Sequence, residues 1–256
     1  MDLIMRRFFV EQILSRGETL VIKGSEARHI IRVLRMRAGD SLILMDRKGA
    51  RFQSRIESVR GEEVSVLLEK PVPAPPESPA EIILCQALLK ARAMDFVIEK
   101  ASELGVHQIV PFVSQRTVVR LDHDQPSTRL RHWREIAVNA SKQSNRARPP
   151  EVAIPCTLPA LVEQWRDEAA LKVILWEDEK SQDLKALLRG SAPLKTVVGI
   201  IGPEGGFSVD EVNRVRQGGF SSVSLGRRVL RAETAALTLL AVLQYEWGDL
   251  CLNNRE

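Results

Sequence analysis

The chain has 256 residues, of which 44% are hydrophobic and 27% charged, with a net charge of +4; this balance supplies a core and excludes a disordered chain. No apolar run reaches the roughly 18 residues of a membrane helix, so no membrane partner is expected. Cys85, Cys156 and Cys251 are odd in number and far apart, and His29, His107, His123 and His132 lack ligand spacing, so a cytoplasmic protein with neither a disulfide framework nor a metal is expected.

The N-terminus "MDLIMRRFFVEQ" has charges on both sides of a short apolar stretch and reads as mature protein rather than a signal peptide. Charge is unevenly spread. Residues 1–70 carry 14 Lys and Arg against 10 Asp and Glu, and residues 115–150 carry 8 against 3. Two basic stretches on a balanced chain fit a polyanion partner as well as an ordinary solvated surface.

Short β-type runs come first: "RRFFV", "ETLVI", "SLILMD", "RFQSRIESV" and "EVSVLLE", punctuated by glycines. Strands and turns at this spacing predict a small β-barrel. One helix interrupts them, "GSEARHIIRVLRMRAGD", with Ser25 as its expected cap. Arg28, Arg32 and Arg35 fall at i, i+4 and i+7 and are expected to share a face, suited to phosphate or an ordinary exposed face with carboxylate partners. Five prolines in "KPVPAPPESPA" then predict a stiff linker, giving a first domain of 1–70, a linker of 71–80 and a second domain of 81–256.

Downstream the rhythm is strand, helix, strand. Apolar runs "EIILCQAL", "HQIVPFV", "EVAIP", "LKVILWE", "TVVGIIG" and "FSSVSL" alternate with helical patterns. Met94, Val97, Ala101 and Leu104 form one helix face that stops at Gly105. Leu130, Trp133, Ala137 and Ala140 form another. Two further helices are expected from Ser181 to Gly190 and from a Ser208–Glu211 capping box to Gly218. "AETAALTLLAVLQYEW" fits either core packing or a dimer interface. Such alternation predicts an α/β domain with a mostly parallel sheet, whose ligands bind beyond the carboxyl ends of the strands.

Three strand-end loops are candidates for chemistry. Glu177-Asp178-Glu179 follows "VILW". "GPEGG", Gly202 to Gly206, matches neither common phosphate-loop pattern and contains Glu204, which would repel phosphate. Its glycines fit either a tight turn or a backbone cradle for a ligand that is not strongly anionic, such as adenosine with a cationic sulfonium. The third loop, "GRRVLR", crowds Arg227, Arg228 and Arg231 near a strand end, where they could clamp RNA or stabilise a developing anion.

Taken in order, "RRFFV", "HIIRVLRMRAGD", "KARAMDFVIEKASELGV", "SKQSNRARPPEV", "IGPEGGFSVDE" and "LGRRVLRAETA" closely resemble the bacterial 16S rRNA (uracil(1498)-N(3))-methyltransferase family, one of the knotted SPOUT methyltransferases. The resemblance covers essentially the whole chain. It implies a PUA-like N-terminal RNA-binding barrel and a C-terminal α/β domain with a deep trefoil knot, contrary to the general absence of knots. It also implies S-adenosylmethionine as cofactor, 16S rRNA of the small ribosomal subunit as partner, and a homodimer. By position, Leu175, Trp176, Glu177, Gly202, Pro203, Glu204, Gly205, Gly206, Leu225, Gly226, Leu230 and Arg231 would hold the cofactor. Arg231, Glu204 and Glu233 are the catalytic candidates, with Arg231 stabilising charge and either glutamate, or water instead, accepting a proton. Arg7, Gln143, Ser144 and Arg146 would face RNA, as would Arg28, Arg32 and Arg35 of the basic helix. Lys142 stands where the family pattern has Glu and is expected to add positive charge. The four residues before Met5 resemble an extension. Alternatives are a 2′-O-ribose RNA methyltransferase on the same fold and a non-catalytic rRNA-binding assembly factor.

Overall fold

In a computed structural model, which describes residues 6–46, 48–119 and 126–250, the five apolar runs at the start form five strands. These are β1 (Arg7–Phe9), β2 (Thr19–Ile22), β3 (Ser41–Met45), β4 (Arg51–Arg60) and β5 (Glu63–Pro71). They make one sheet in the order β1-β3-β4-β5-β2, parallel only between β1 and β3. Alternation sets the inner face: Val64, Val66 and Leu68 are buried, as are Phe52 and Ile56 across the ladder. Register shifts at Gln53/Ser54, where Glu69 is the extra residue on β5, and at Ile56/Ser58, where Glu57 is the extra residue on β4, mark bulges that increase twist and let the sheet curl over a core that includes Phe8, Ile30, Leu42 and Leu44.

The basic helix departs from its expected geometry. Helix α1 (Gly24–Arg28) is capped by Lys23 without a side-chain bond, and Ser25 lies inside it. It then widens into a π turn, His29–Val33, closed by Leu34 N donating to His29 O at 3.0 Å. Arg35 lies beyond, at φ 53°. The 3.6-residue spacing therefore does not run through to Arg35, so the three arginines do not share one helical face as expected. Arg32 instead pairs with Glu62 at 2.6 Å, an exposed contact of little energetic weight.

The second part is a parallel sheet in the order β12-β10-β11-β6-β7-β8. Its strands are β6 (Glu81–Ala87), β7 (Gln108–Val113), β8 (Glu151–Val152), β10 (Leu171–Leu175), β11 (Thr196–Ile201) and β12 (Ser221–Val223), with β9 (Cys156–Thr157) also on β7. Helices α2 (Ala91–Glu103), α3 (Pro126–Gln143), α4 (Leu158–Gln164), α5 (Leu184–Gly190), α6 (Val209–Gln217) and α7 (Ala232–Glu246) complete it. Two apolar clusters share out the alternate residues of β6. Ile82 and Leu84 join residues of α2, α5 and α7, whereas Ile83 and Cys85 join residues of α4 and α6. Near-continuous burial of β6 follows from being covered on both faces.

The expected helix faces are found: Met94, Val97 and Ala101 of α2 are buried, and so are Leu130, Trp133, Ala137 and Ala140 of α3. Gly105 follows α2 at φ 81°, and Ser208 and Glu211 form the capping box of α6. The helix expected from Ser181 begins at Leu184, because Asp183 accepts from Ala186 N at 2.7 Å and caps it. Strand β9 and helix α4 were not anticipated; α4 is a single short run opened by a Thr157 cap.

Two compact units result: 1–76 with 141–149, and 77–140 with 150–256. Residues 141–149, assigned on sequence to the second domain, thus belong with the first unit, to which long-range polar contacts tie them. The extension before Met5 and the polar Asp122–His123–Asp124 stretch lie outside the described residues. Among the described residues no helix is long and apolar enough to cross a membrane, and no cluster of metal-binding side chains occurs.

Candidate active site

The loops at the carboxyl ends of β10, β11 and β12 converge within the second unit. Trp176 N donates to Val223 O at 3.1 Å, joining the ends of β10 and β12. Beyond β12, Ser224 N donates to Gln182 O and Leu184 N to Ser224 O, both at 3.0 Å. The chain then returns as α7 across β11 and β6. Gly199 permits this return: a Cβ there would lie 2.4 Å from Leu239 Cδ2.

The glycine loop after β11 is shaped from several sides. Gly206 N donates to Pro203 O at 3.0 Å, and Gly206 sits at φ 66°. A Cβ on Gly206 would lie 3.0 Å from Glu177 Oε1, so the β10 and β11 loops touch here. A Cβ on Gly205 would lie 3.1 Å from Arg116 Cβ and 3.3 Å from its carbonyl oxygen. Gly202 faces the Phe207 ring, with its ideal Cβ 3.0 Å away. Glycine is favoured at all three positions by close packing, and at Gly206 by its positive φ as well, which fits a cradle that holds a nucleoside through N–H and C=O groups.

Glu204 is exposed. Its Oε1 accepts from Lys90 N at 3.3 Å, at the first turn of α2, where the helix dipole favours a carboxylate. Two polar neighbours escaped the sequence reading. Gln86, fully buried at the end of β6, donates from Nε2 to Ala87 O and Gly202 O, and its Oε1 has no partner. Arg116, in the loop after β7, donates from Nη1 to Gly205 O at 3.1 Å. Gln115 N donates to Glu211 Oε1 at 2.8 Å, and Ser208 Oγ donates to Gln115 Oε1 at 2.9 Å, so this loop is fastened to α6. A lone amide in the apolar run "EIILCQAL" was the available signal for Gln86; nothing local marks Arg116.

The β10 loop is braced by a buried carboxylate. Glu179 accepts from Ser181 Oγ at 2.5 Å, Ser181 N at 2.9 Å and Arg216 Nη2 at 2.5 Å. These bonds, the Ser181 hydroxyl foremost, hold its carboxyl down at about 2 against the opposing effect of burial. The Arg216 guanidinium also lies over Trp176, 5.6 Å from the ring centroid.

In the loop after β12, Ser224 Oγ accepts from Gly226 N at 3.1 Å, and Gly226 has φ 113°. Leu225 and Leu230 are half-buried, and Arg227, Arg228 and Arg231 are exposed. Arg231 is the N-cap residue of α7, and Glu233 lies in its first turn, half-buried. All the residues expected to hold a cofactor thus lie on three adjoining loops of one unit.

The residues expected to face RNA lie in the other unit. Arg7, Arg28, Arg32 and Arg35 are joined there by Gln143, Ser144 and Arg146. The positive charge expected from Lys142 is compensated, because its Nζ lies 2.5 Å from Glu26 Oε1 in a largely buried ion pair.

Residues 76–244 match the family described as an RNA methyltransferase domain, and residues 22–69 match an RNA methyltransferase PUA domain. Ribosomal RNA small subunit methyltransferase E of Bacillus subtilis is 31% identical over 94% of this chain and 97% of its own length. The Mycobacterium bovis protein of the same name is 33% identical over 94% and 92%. A crystal structure of the Neisseria gonorrhoeae protein, bound to S-adenosyl methionine, superposes with a TM-score of 0.90 at 32% identity and covers 96% of this chain and all of that one. The parallel unit accordingly has the SPOUT-type α/β fold, with its C-terminal return forming the expected knotted region, and the curled sheet is the PUA-like domain. By its matched domains, its full-length relatives and its fold, the chain belongs to the ribosomal RNA small subunit methyltransferase E family.

Proposed function

We propose that this protein transfers a methyl group from S-adenosylmethionine to N3 of one uridine of 16S rRNA, the U1498 equivalent, and acts in the cytoplasm as a homodimer. The observation that carries this reading is the Gly202–Gly206 turn, where Arg116 and Glu177 pack tightly against Gly205 and Gly206 and Gly206 has φ 66°. When bound, S-adenosylmethionine supplies a methyl group on a sulfonium, already a strong electrophile. The backbone of 175–177, 202–206 and 225–231 would hold its nucleoside.

Uridine N3–H is a weak acid, so N3 must lose its proton to attack. Arg231, at the exposed N-cap of α7, stabilises the negative charge that spreads over the uracil ring. Glu204, Glu233 or water accepts the proton; Glu204 already accepts one hydrogen bond, from Lys90 N, on Oε1. The base leaves its stack to reach the pocket, while arginines of the first unit hold phosphates and set the register.

Dimerisation is supported by a groove of about 370 Å³ between α5 and α7, lined by Lys185, Leu188, Arg189, Ala241, Val242, Tyr245 and Glu246. Tyr245 is 66% exposed there, on a helix otherwise rich in apolar residues.

The test is calorimetry with S-adenosylmethionine, followed by mass analysis of nuclease-digested rRNA from cells with and without the protein. The reading predicts cofactor binding and a methylated uracil that disappears with the gene. Methyl on ribose would instead identify the 2′-O enzyme, and absence of cofactor binding would identify a non-catalytic RNA-binding protein.

A further inference from the structure

Arg51 is the first residue of β4 and only 4% exposed, although it is charged. Its guanidinium donates from Nη1 to Asn145 Oδ1 at 2.9 Å, from Nη2 to Asn145 O at 3.2 Å, and from Nη2 to Arg146 O. Its Nε is buried without a partner. Burial, and then the nearby Arg7, lower its pKa. Among the described residues, the oxygens it reaches are carbonyl and amide oxygens rather than carboxylates. A cation buried in this way is a costly device for stability alone.

The segment that it grips is shaped for the purpose. Asn145 adopts φ 61°, and Arg146 N donates to Ser141 O at 3.0 Å, closing the end of α3. Lys142 is anchored to Glu26, and Ala147 is buried. Gly49, at φ 85°, leaves space against Arg148, whose Cγ would lie 3.4 Å from a Cβ. The turn so held carries Gln143, which is exposed, together with Ser144 and Arg146.

We infer that Arg51 is a positioning residue for substrate RNA: it acts through the Asn145–Arg146 turn, holding Gln143, Ser144 and Arg146 in the geometry that RNA meets. This rests on the reading of the protein as an rRNA methyltransferase. Binding to a preordered turn spares RNA the entropy of ordering it, so loosening the turn weakens RNA binding without touching the methyl donor.

The test compares wild type with Arg51→Met, Arg51→Lys and Asn145→Gly, using small ribosomal subunits from cells lacking the enzyme as substrate. Met keeps the unbranched stem and removes the donors; Gly keeps the left-handed backbone and removes one acceptor. Arg51→Met should raise KM for the subunits by about tenfold, the loss expected for hydrogen bonds from a charged donor. kcat and the Kd for S-adenosylmethionine should stay at wild-type values. Arg51→Lys should recover part of the KM, and Asn145→Gly should raise it by about threefold. Arg51→Met combined with Asn145→Gly should be no worse than Arg51→Met alone, because both remove the same bond. An unchanged KM in Arg51→Met, or a parallel loss of cofactor affinity, would overturn the inference. Should Arg51→Met fail to fold, the KM of Asn145→Gly decides: a rise supports the turn and wild-type behaviour overturns it. Wild-type protein that transfers no methyl group overturns the underlying reading instead, and filter retention of the same subunits by the variants then decides the role of Arg51.

Discussion

The carboxylate of Glu204 accepts a hydrogen bond from the backbone N–H of Lys90, 114 residues earlier in the chain, and so ties the glycine loop to the start of α2. A residue that local sequence marks as a candidate base thus also helps to hold the glycine loop against α2. Glu204→Gln retains an acceptor for Lys90 N and is expected to retain methyl transfer within a few-fold. Glu204→Ala should destabilise the protein by about 1 kcal/mol, as for loss of a helix cap, and weaken cofactor binding. Loss of transfer in Glu204→Gln with cofactor binding intact, measured by single-turnover assay and calorimetry, would restore Glu204 as the base.

Gly206→Ala should be more damaging than its size suggests. The residue is at φ 66°, and the new methyl would sit 3.0 Å from Glu177 Oε1. Backbone strain costs about 1 kcal/mol or more, and the displaced loop should lose cofactor affinity. Glu177→Ala in the same chain removes the collision but not the strain, so calorimetry should recover only part of the affinity.

Arg231→Ala separates chemistry from binding. If Arg231 stabilises the uracil anion, turnover should fall by about 100-fold or more, the usual cost of losing a transition-state donor. Cofactor Kd should change little, since the cradle is backbone. Full methylation at the wild-type rate would remove Arg231 from the mechanism.

Glu179 predicts a specific acid sensitivity. Its folded-state carboxyl, held at about 2, lies below its ordinary value of 4.5, so the stability it contributes is present above that ordinary value and is lost as pH falls toward 2. Thermal unfolding between pH 5 and 2.5 should show a falling Tm, less steep in Glu179→Gln, which also starts lower at pH 7. Identical pH slopes would show that other carboxylates control acid unfolding.

Arg28 and Arg32 should act on RNA through charge, with Arg35 lying outside the helix. Replacing both by Ala should weaken binding and reduce the slope of log K against log salt by about one per lost phosphate contact. Arg32 alone should contribute less, because Glu62 already compensates it. A filter-binding series across salt concentrations measures both, and an unchanged slope in the double variant would place these arginines away from RNA.

Much of the fold was readable from local pattern. Val64, Val66 and Leu68 point inward because a strand alternates, and Met94, Val97 and Ala101 are buried because a helix repeats every 3.6 residues. The Ser208–Glu211 box announced the start of α6 because both bonds close within four residues. The motif strings, in order, indicated the family and the three strand-end loops expected to hold the cofactor. Local pattern failed at α1, where the π turn breaks the assumed period, and at α4, too short to display one.

The sequence by itself determined the longer elements, their order, the two-part character of the chain and the loops at the strand ends, because backbone hydrogen bonding and alternating burial leave signatures within a few residues. Only the tertiary structure decided that residues 141–149 join the first unit, that Lys142 is neutralised, that Glu204 serves α2, and that Gln86 and Arg116 support the glycine loop. Each of those outcomes is a contact between groups some 90 or more residues apart. A polar side chain's partner at that separation is set by how strands and helices pack, and nothing in its neighbours along the chain encodes it.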